Sequence, residues 1–192
     1  MIEINRDAWS DGQMGSKIWL AETLESFGPQ FFNEPQRIWI LGGWYGLLGQ
    51  VLFVRERLNI ARITSIDIDP DVRERARAVN NRWECQGRFH AVAADCNYLS
   101  YENSSYGEKP NLVINTSCEH FDNMKWWKRI PEDTWVVLQS TNMEHESHIN
   151  RSFSIEQFQS QFPEMKQVIY AQTLKFEYPG FKFERYMLIG KK

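Results

Sequence analysis

The sequence predicts an α/β fold: a doubly wound, mostly parallel, seven-stranded sheet that ends in an antiparallel β-hairpin. Three observations predict it. Short continuous apolar runs alternate with amphipathic stretches along most of the chain, the pattern of strands buried on both faces and joined by helices. The first of these runs stops abruptly at Gly42-Gly43, where a strand turns into a helix. The last two extended runs are separated only by a short stretch holding Pro179-Gly180, which suits a hairpin.

Each element follows in order. Residues 14–26 read as a helix with Ile18, Leu20, Ala21 and Leu24 on one stripe, stopped by Gly28-Pro29. It belongs to an N-terminal helical extension over residues 1–35, set before the main unit of residues 36–192. The run 37–41 is the first strand and 47–57 the helix after it. The second strand, 63–68, meets Asp69-Pro70, where Asp69 suits an N-cap and Pro70 the first helical position. That helix carries Arg73, Arg75, Arg77 and Arg82, read as a solvated face. Strands follow at 90–94 and 112–115, a helix or turn at 121–130, and a fifth strand at 134–139. Residues 154–161 form a helix with Ser154 as N-cap and Gln157 completing a capping box. The runs 168–176 and 183–189 make the hairpin. The alternation is that of a Rossmann-like fold.

Composition narrows the function. At 192 residues, 42% hydrophobic and 24% charged, the chain suits one compact domain with a sizeable core. A net charge of −3 supplies no basic field, so neither nucleic acid nor a membrane surface is an expected partner. No apolar run approaches the roughly 18–20 residues that cross a bilayer, and the N-terminus has no secretory pattern. Cys85, Cys96 and Cys118 are odd in number and lack C-x-x-C spacing, which argues against a disulfide framework or zinc ribbon and for the reducing cytoplasm. Eight Trp residues fill core or line a ligand pocket.

In such a sheet a ligand binds beyond the carboxyl ends of the strands. Gly42-Gly43-Trp44-Tyr45-Gly46 falls there, where glycines permit close approach and the next helix offers free N–H groups. Asp67, at the end of the second strand, can accept from a ribose diol. After the third strand, Asp95 can accept from an adenine amino group while the Cys96 N–H donates to the ring. Two plainer readings stay open: the glycines only permit a turn, and Asp67 is a second helix cap. Gly-x-Gly-x-x-Gly is absent, which weighs against NAD.

The order and spacing of these motifs resemble the class I S-adenosylmethionine-dependent methyltransferases over residues 36–192. The family's first strand runs acid-x-Gly-x-Gly-x-Gly. Aligned on Gly46, it puts Gly42 on the first glycine, Trp44 on the second and Ile40 on the acid. The acid's task of holding the cofactor's amino-acid end is therefore unassigned. Ser65-Ile66-Asp67-Ile68-Asp69-Pro70 matches the second motif, with Asp67 as the ribose ligand and Ile68 beside it. Ala94-Asp95-Cys96 resembles the family's Gly-Asp-Ala, and the terminal hairpin suits its seventh strand. The resemblance implies S-adenosylmethionine as the cofactor, held by 42–46, Asp67, Ile68, Asp95 and Cys96.

It also places the loop Asn115-Thr116-Ser117-Cys118-Glu119-His120 beside the methyl group. Asn115 or Thr116 can take over the amino-acid end, and Glu119 and His120 are the catalytic candidates, one deprotonating an acceptor and the other supporting it. A polar loop with Glu119 as a helix cap is the plain alternative, and nothing marks Cys118 as a nucleophile. The loop differs from the Asn/Asp-Pro-Pro-aromatic motif of DNA amino-methyltransferases, so a small-molecule acceptor is expected. After the fifth strand, His145 and His148 with Glu144 or Glu146 lack a further ligand pair. They are expected to line the acceptor pocket, with no metal site. Trp9, Gln13, Ser16 and Lys17 precede the first strand as a lid, where Lys17 pairs with a carboxylate or is solvated. Three alternatives stay open: aminocarboxypropyl transfer, cleavage or cyclisation of the cofactor, and a non-catalytic module with Trp9, Trp44, Trp126 and Trp127 as a partner surface. A homo-oligomer is likewise left open.

Overall fold

The computed structural model describes residues 3–102 and 104–192. Seven strands, β1 (Gln36–Leu41), β2 (Ile60–Asp67), β3 (Phe89–Ala93), β4 (Leu112–Asn115), β5 (Trp135–Thr141), β6 (Lys166–Tyr178) and β7 (Phe181–Lys191), form one sheet in the order β3-β2-β1-β4-β5-β7-β6. The first five are parallel to one another, and β7 runs antiparallel between β5 and β6. The antiparallel strand is thus one place in from the edge. Helices α1 (Asp11–Phe31), α2 (Leu47–Arg55), α3 (Pro70–Val79), α4 (Asn81–Cys85), α5 (Lys125–Arg129) and α6 (Ile155–Ser160) complete the chain. Among the described residues no helix is long and apolar enough to cross a membrane.

The alternation along β1 explains why its apolar run is continuous. Ile38 and Ile40 enter one core with Leu20, Leu24, Leu52 and Ile63, while Trp39 and Leu41 enter the other with Val113 and Leu138. Both faces are covered, so neither has polar positions to spare. Helix α1 is part of the first core. Leu20, Ala21 and Leu24 have no exposed surface, which makes this extension a structural layer of the sheet.

Several boundaries differ from the sequence reading. Helix α1 runs through Gly28-Pro29 to Phe31, because Phe31 and Phe32 pack edge-on against Trp135, with ring centroids 5.4 and 5.6 Å away. The arginine-bearing helix divides at Asn80. That buried side chain donates to the carbonyls of Gly46 and Ala76, both at 3.0 Å, and so ties the end of α3 to the glycine loop. Arg73 and Arg77 pair with Glu74, and Arg77 also with Glu84, as a solvated face does. Trp126 and Trp127 are buried in the second core, so they form no partner surface; of the four tryptophans named for one, Trp9 is 52% exposed and Trp44 half-buried. Asp69 caps α3 through the Asp71 N–H, and Ser154 caps α6 through that of Gln157. The Gln157 amide oxygen reaches back to the Phe153 N–H at 2.8 Å, one residue beyond the capping-box position.

One glycine is fixed by space alone. A Cβ at Gly43 would lie 2.1 Å from Ser65 Oγ and 3.3 Å from Ser65 Cβ. Gly43→Ala is expected to cost about 1–3 kcal/mol of stability, most of it recovered when Ser65→Ala is added. A urea-denaturation double-mutant cycle checks the coupling.

Candidate cofactor and catalytic site

The carboxyl ends of β1 to β5 share one rim. Leu41 is in register with Ile66 and with Asn115, so the loops after β1, β2 and β4 start level. In the glycine loop, Gly42, Trp44 and Gly46 take left-handed backbone, with φ of 63°, 46° and 69°. Trp44 is the costly member, because a bulky residue disfavours that region. Asp67 holds it there. One carboxylate oxygen accepts from the Trp44 N–H at 2.8 Å, and the other from the Asp69 N–H at 3.1 Å. Helix capping is therefore the work of Asp69, and Asp67 joins the glycine loop to the start of α3. The Trp44 ring stacks on Tyr45 with centroids 4.4 Å apart, and the Arg75 guanidinium covers Tyr45 at 5.5 Å. Ile4, Ala8 and Met14 share a cluster with these two rings.

Asp95 is half-buried and caps the short helical turn Cys96–Tyr98 by accepting from the Asn97 N–H at 2.8 Å. Burial pushes the Cys96 thiol up to about 12 and the Cys118 thiol well above its usual range, so neither is a nucleophile at neutral pH. Ile68 stands 69% exposed beside Asp67, an apolar side chain left uncovered on the rim.

The loop after β4 turns inward. Asn115 is wholly buried; its Oδ1 accepts from the Ser117 N–H at 2.9 Å, and its Nδ2 has no partner among the described residues. Thr116 is half-buried next to it. Glu119 is 1% exposed and accepts from Arg185 Nη1 of β7 at 2.8 Å. Glu119 Oε2, Arg185 Nε, Gln139 Oε1 and Ser140 Oγ are buried without partners among the described residues. Lys17 of α1 is buried as well, donating to the backbone and side-chain oxygens of Gln13 at 3.2 and 2.8 Å. Burial, and after it the Arg185 charge, brings its pKa down to about 8 against the pull of Asp7 and Glu119. Lys17 is thus a buried cation bound to Gln13 oxygens, and no carboxylate hydrogen-bonds to it among the described residues.

His120 gives one edge to solvent. Enclosure of the remainder holds its pKa below the usual imidazole value, despite the opposing charge of Glu119. Its ring meets that of His148 edge-on, with centroids 4.8 Å apart. His145 is exposed and bound to Ser147 Oγ, and Glu144 lies 4.0 Å from Arg151. His148 therefore meets His120 of the β4 loop as well as its sequence neighbours, the Met143 carbonyl and the His145 ring, whose centroid is 5.2 Å away. Sequence reasoning missed Arg185, Gln139 and Ser140. The one signal for Arg185 was a charge set among apolar residues in the last strand. A separate open cleft lies at the opposite, amino ends of the strands, lined by Glu34, Arg37, Glu108, Trp135 and Lys191. It has neither a glycine loop nor a buried ionisable cluster.

By sequence, no family model and no curated relative matches the chain. By structure, the N-methyltransferase NodS of Bradyrhizobium japonicum WM9 with S-adenosyl-L-homocysteine superposes over 93% of this chain and 87% of its own, with TM-score 0.64 and 14% identity. The fold is that of the class I S-adenosylmethionine-dependent methyltransferases. An O-methyltransferase of Bacillus cereus in complex with the same product matches over 92% of this chain and 81% of its own, at TM-score 0.60 and 12% identity. A candidate RNA methyltransferase of Pyrococcus horikoshii matches over 93% and 82%, at TM-score 0.57 and 13% identity. The methyltransferase fold thus carries N-, O- and RNA-directed members, and fold alone does not choose the acceptor.

The buried lysine gives a pH test. Its folded pKa of about 8 lies below the ordinary 10.5, so between those values the unfolded chain holds the proton more tightly. Stability from this group therefore rises with pH from about 8 towards 10.5, and the charged form is penalised in full below 8. Lys17→Met should raise the thermal midpoint at pH 7 and flatten its rise at alkaline pH. Thermal scans of both chains from pH 6 to about 10 check this.

Proposed function

We propose that the chain is an S-adenosylmethionine-dependent methyltransferase acting on a small-molecule acceptor. The observation that carries the reading is the shared rim: a left-handed glycine loop fixed by Asp67, an acid on the next strand end, and buried polar atoms at the ends of β4 and β5, in the loop after β4 and on β7 that have no partners among the described residues. A cofactor with a polar amino-acid end fits such atoms, because unpaired buried donors and acceptors are costly.

In this reading the N–H groups of 42–46 approach the cofactor, with Tyr45 buried behind Trp44 as a rigid backing. Asp67 keeps acceptor capacity for a ribose diol, since a carboxylate has about four lone-pair directions and two N–H groups use only part of them. Ile68 covers an adenine face, and Asp95 with the Cys96 N–H reads the adenine edge. Asn115 Nδ2 and Thr116 meet the amino-acid end, and the Lys17 ammonium pairs with its carboxylate. When bound, S-adenosylmethionine supplies an activated methyl group, whose C–S bond breaks with its electron pair passing to sulfur as the acceptor bonds to carbon. The chain's own task is alignment and proton removal. His120, kept neutral by its depressed pKa, accepts the proton, and Glu119, held by Arg185, orients the acceptor. Residues 3–17 act as the lid. The small acceptor is favoured by the near-complete burial of Lys17, Glu119 and Arg185 and by the lack of a basic field.

Titration calorimetry should show heat with S-adenosylmethionine and S-adenosylhomocysteine and none with NAD. Asp67→Ala should weaken binding by about 1–3 kcal/mol. Incubation with methyl-labelled cofactor, a metabolite extract and total RNA separates the acceptors: label confined to RNA overturns the small-molecule assignment. Release of methylthioadenosine in place of S-adenosylhomocysteine overturns methyl transfer itself.

A further inference from the structure

We propose that Glu119, His120 and His148 bind one divalent transition-metal ion at the acceptor end of the site. One ligand atom from each lies within 4.8 Å of the other two. Three ligands placed tetrahedrally about an ion at about 2.1 Å stand about 3.4 Å from one another, so shifts of no more than about 0.8 Å in each side chain close the set. Three features go beyond proximity.

Both imidazoles have the tautomer of ligands that bind through Nε2. His120 Nδ1 meets the Ser147 carbonyl oxygen at 3.1 Å, and His148 Nδ1 meets that of Met143 at 2.8 Å. A carbonyl oxygen only accepts, so each Nδ1 carries the proton and each Nε2 keeps its lone pair. Glu119 supplies the second feature. Its Oε1 is fixed by Arg185, while Oε2 is buried with no partner among the described residues. A cation satisfies that oxygen, and Arg185 then acts as the outer group that orients the ligand. Third, the two loops that carry the ligands are already joined, because the Asn150 N–H donates to the Glu119 carbonyl at 2.9 Å.

The donor set names the class of ion. Two neutral imidazoles and one carboxylate suit Zn²⁺, Mn²⁺ or Fe²⁺, whereas Mg²⁺ and Ca²⁺ prefer all-oxygen shells. Three protein ligands leave positions open for an exchangeable molecule. Ion binding stands apart from the methyltransferase reading, but the ion's role rests on it. An acceptor hydroxyl on the ion loses its proton to solvent more readily, its oxygen bonds to the methyl carbon, and the C–S electron pair stays on sulfur. With the ion bound, His120 serves as its ligand, and solvent takes the proton that the ion-free chain would pass to His120. Sequence spacing pointed away from a metal because it offered only His145 and His148 with nearby glutamates, whereas the fold pairs His148 with the loop after β4.

The test uses the full chain, stripped with a chelator and titrated with Zn²⁺ by calorimetry and with Mn²⁺ by electron paramagnetic resonance. One ion per chain at micromolar affinity or tighter is expected. His148→Ala and His120→Ala should each weaken it by at least about tenfold. These variants avoid Glu119→Gln, which disturbs the buried partner Arg185. The proposal is overturned by no stoichiometric binding of either ion, or by binding that survives both histidine variants. S-adenosylhomocysteine binding, measured on the same stripped chain, keeps the two readings distinct: its loss with ion binding intact counts against the cofactor assignment alone.

Discussion

The buried ion pair between Glu119 and Arg185 is the contact on which the candidate site depends. It joins the loop after β4 to the last strand, beneath the helix that brings Lys17 to the same place. Such a pair is a poor stability device, since removing two charges from water offsets most of their attraction. Its unpaired remainder makes that plainer: Glu119 Oε2 and Arg185 Nε are left without partners among the described residues. A fold that only needed strength there would place apolar side chains, as it does one residue along with Tyr186, Met187 and Leu188. Such charges suit the proposed site, where strength alone does not call for them.

The last strand shows how far the sequence could be read. Its apolar run announced a strand, because burial on both faces leaves a continuous signal that survives without any partner being known. The same logic exposed β1 and β4, the latter to the residue, and the Asp69-Pro70 pair marked the start of α3 since capping is local chemistry. What stayed hidden depended on contacts far along the chain. The end of α1 is set by Trp135, the break before α4 by a hydrogen bond from Asn80 to Gly46, and the company of His148 by a loop near residue 120. Trp126 and Trp127 misled for the same reason: five helical residues give too short a period to show which side faces inward.

The candidate site divides along that line. Its cofactor half sits at strand ends, and strand ends can be counted off a sequence. The reactive half is assembled from α1, two loops and β7, so Glu119 and His120 could be named while Arg185, Gln139 and Ser140 could not. Fold comparison does not close this gap. At 12–14% identity the superposed methyltransferases share the sheet, and the side chains beyond β4 and β5 have to be read from this chain itself.

The departures in the first motif then have a physical account. Ile40 occupies the family's acid position, but here that side chain is buried in the first core with Leu20, Leu24 and Ile63. A carboxylate at that point would be surrounded by aliphatic groups, so the polar task has to move. Two buried donors lie nearby in the chain's own site: Asn115 Nδ2, without a partner among the described residues, and the ammonium of Lys17. Trp44, in the place of a glycine, takes the left-handed backbone that glycine would adopt without strain. Its N–H bond to Asp67 and its stacking on Tyr45 offset that strain, and both contacts stiffen the loop. A glycine there would bring flexibility that has to be frozen when a ligand binds, whereas the tryptophan has its shape set beforehand. The irregular motif is therefore consistent with a preorganised loop, and the buried donors of Asn115 and Lys17 suit the carboxylate of an amino-acid ligand, which an acid at position 40 would repel.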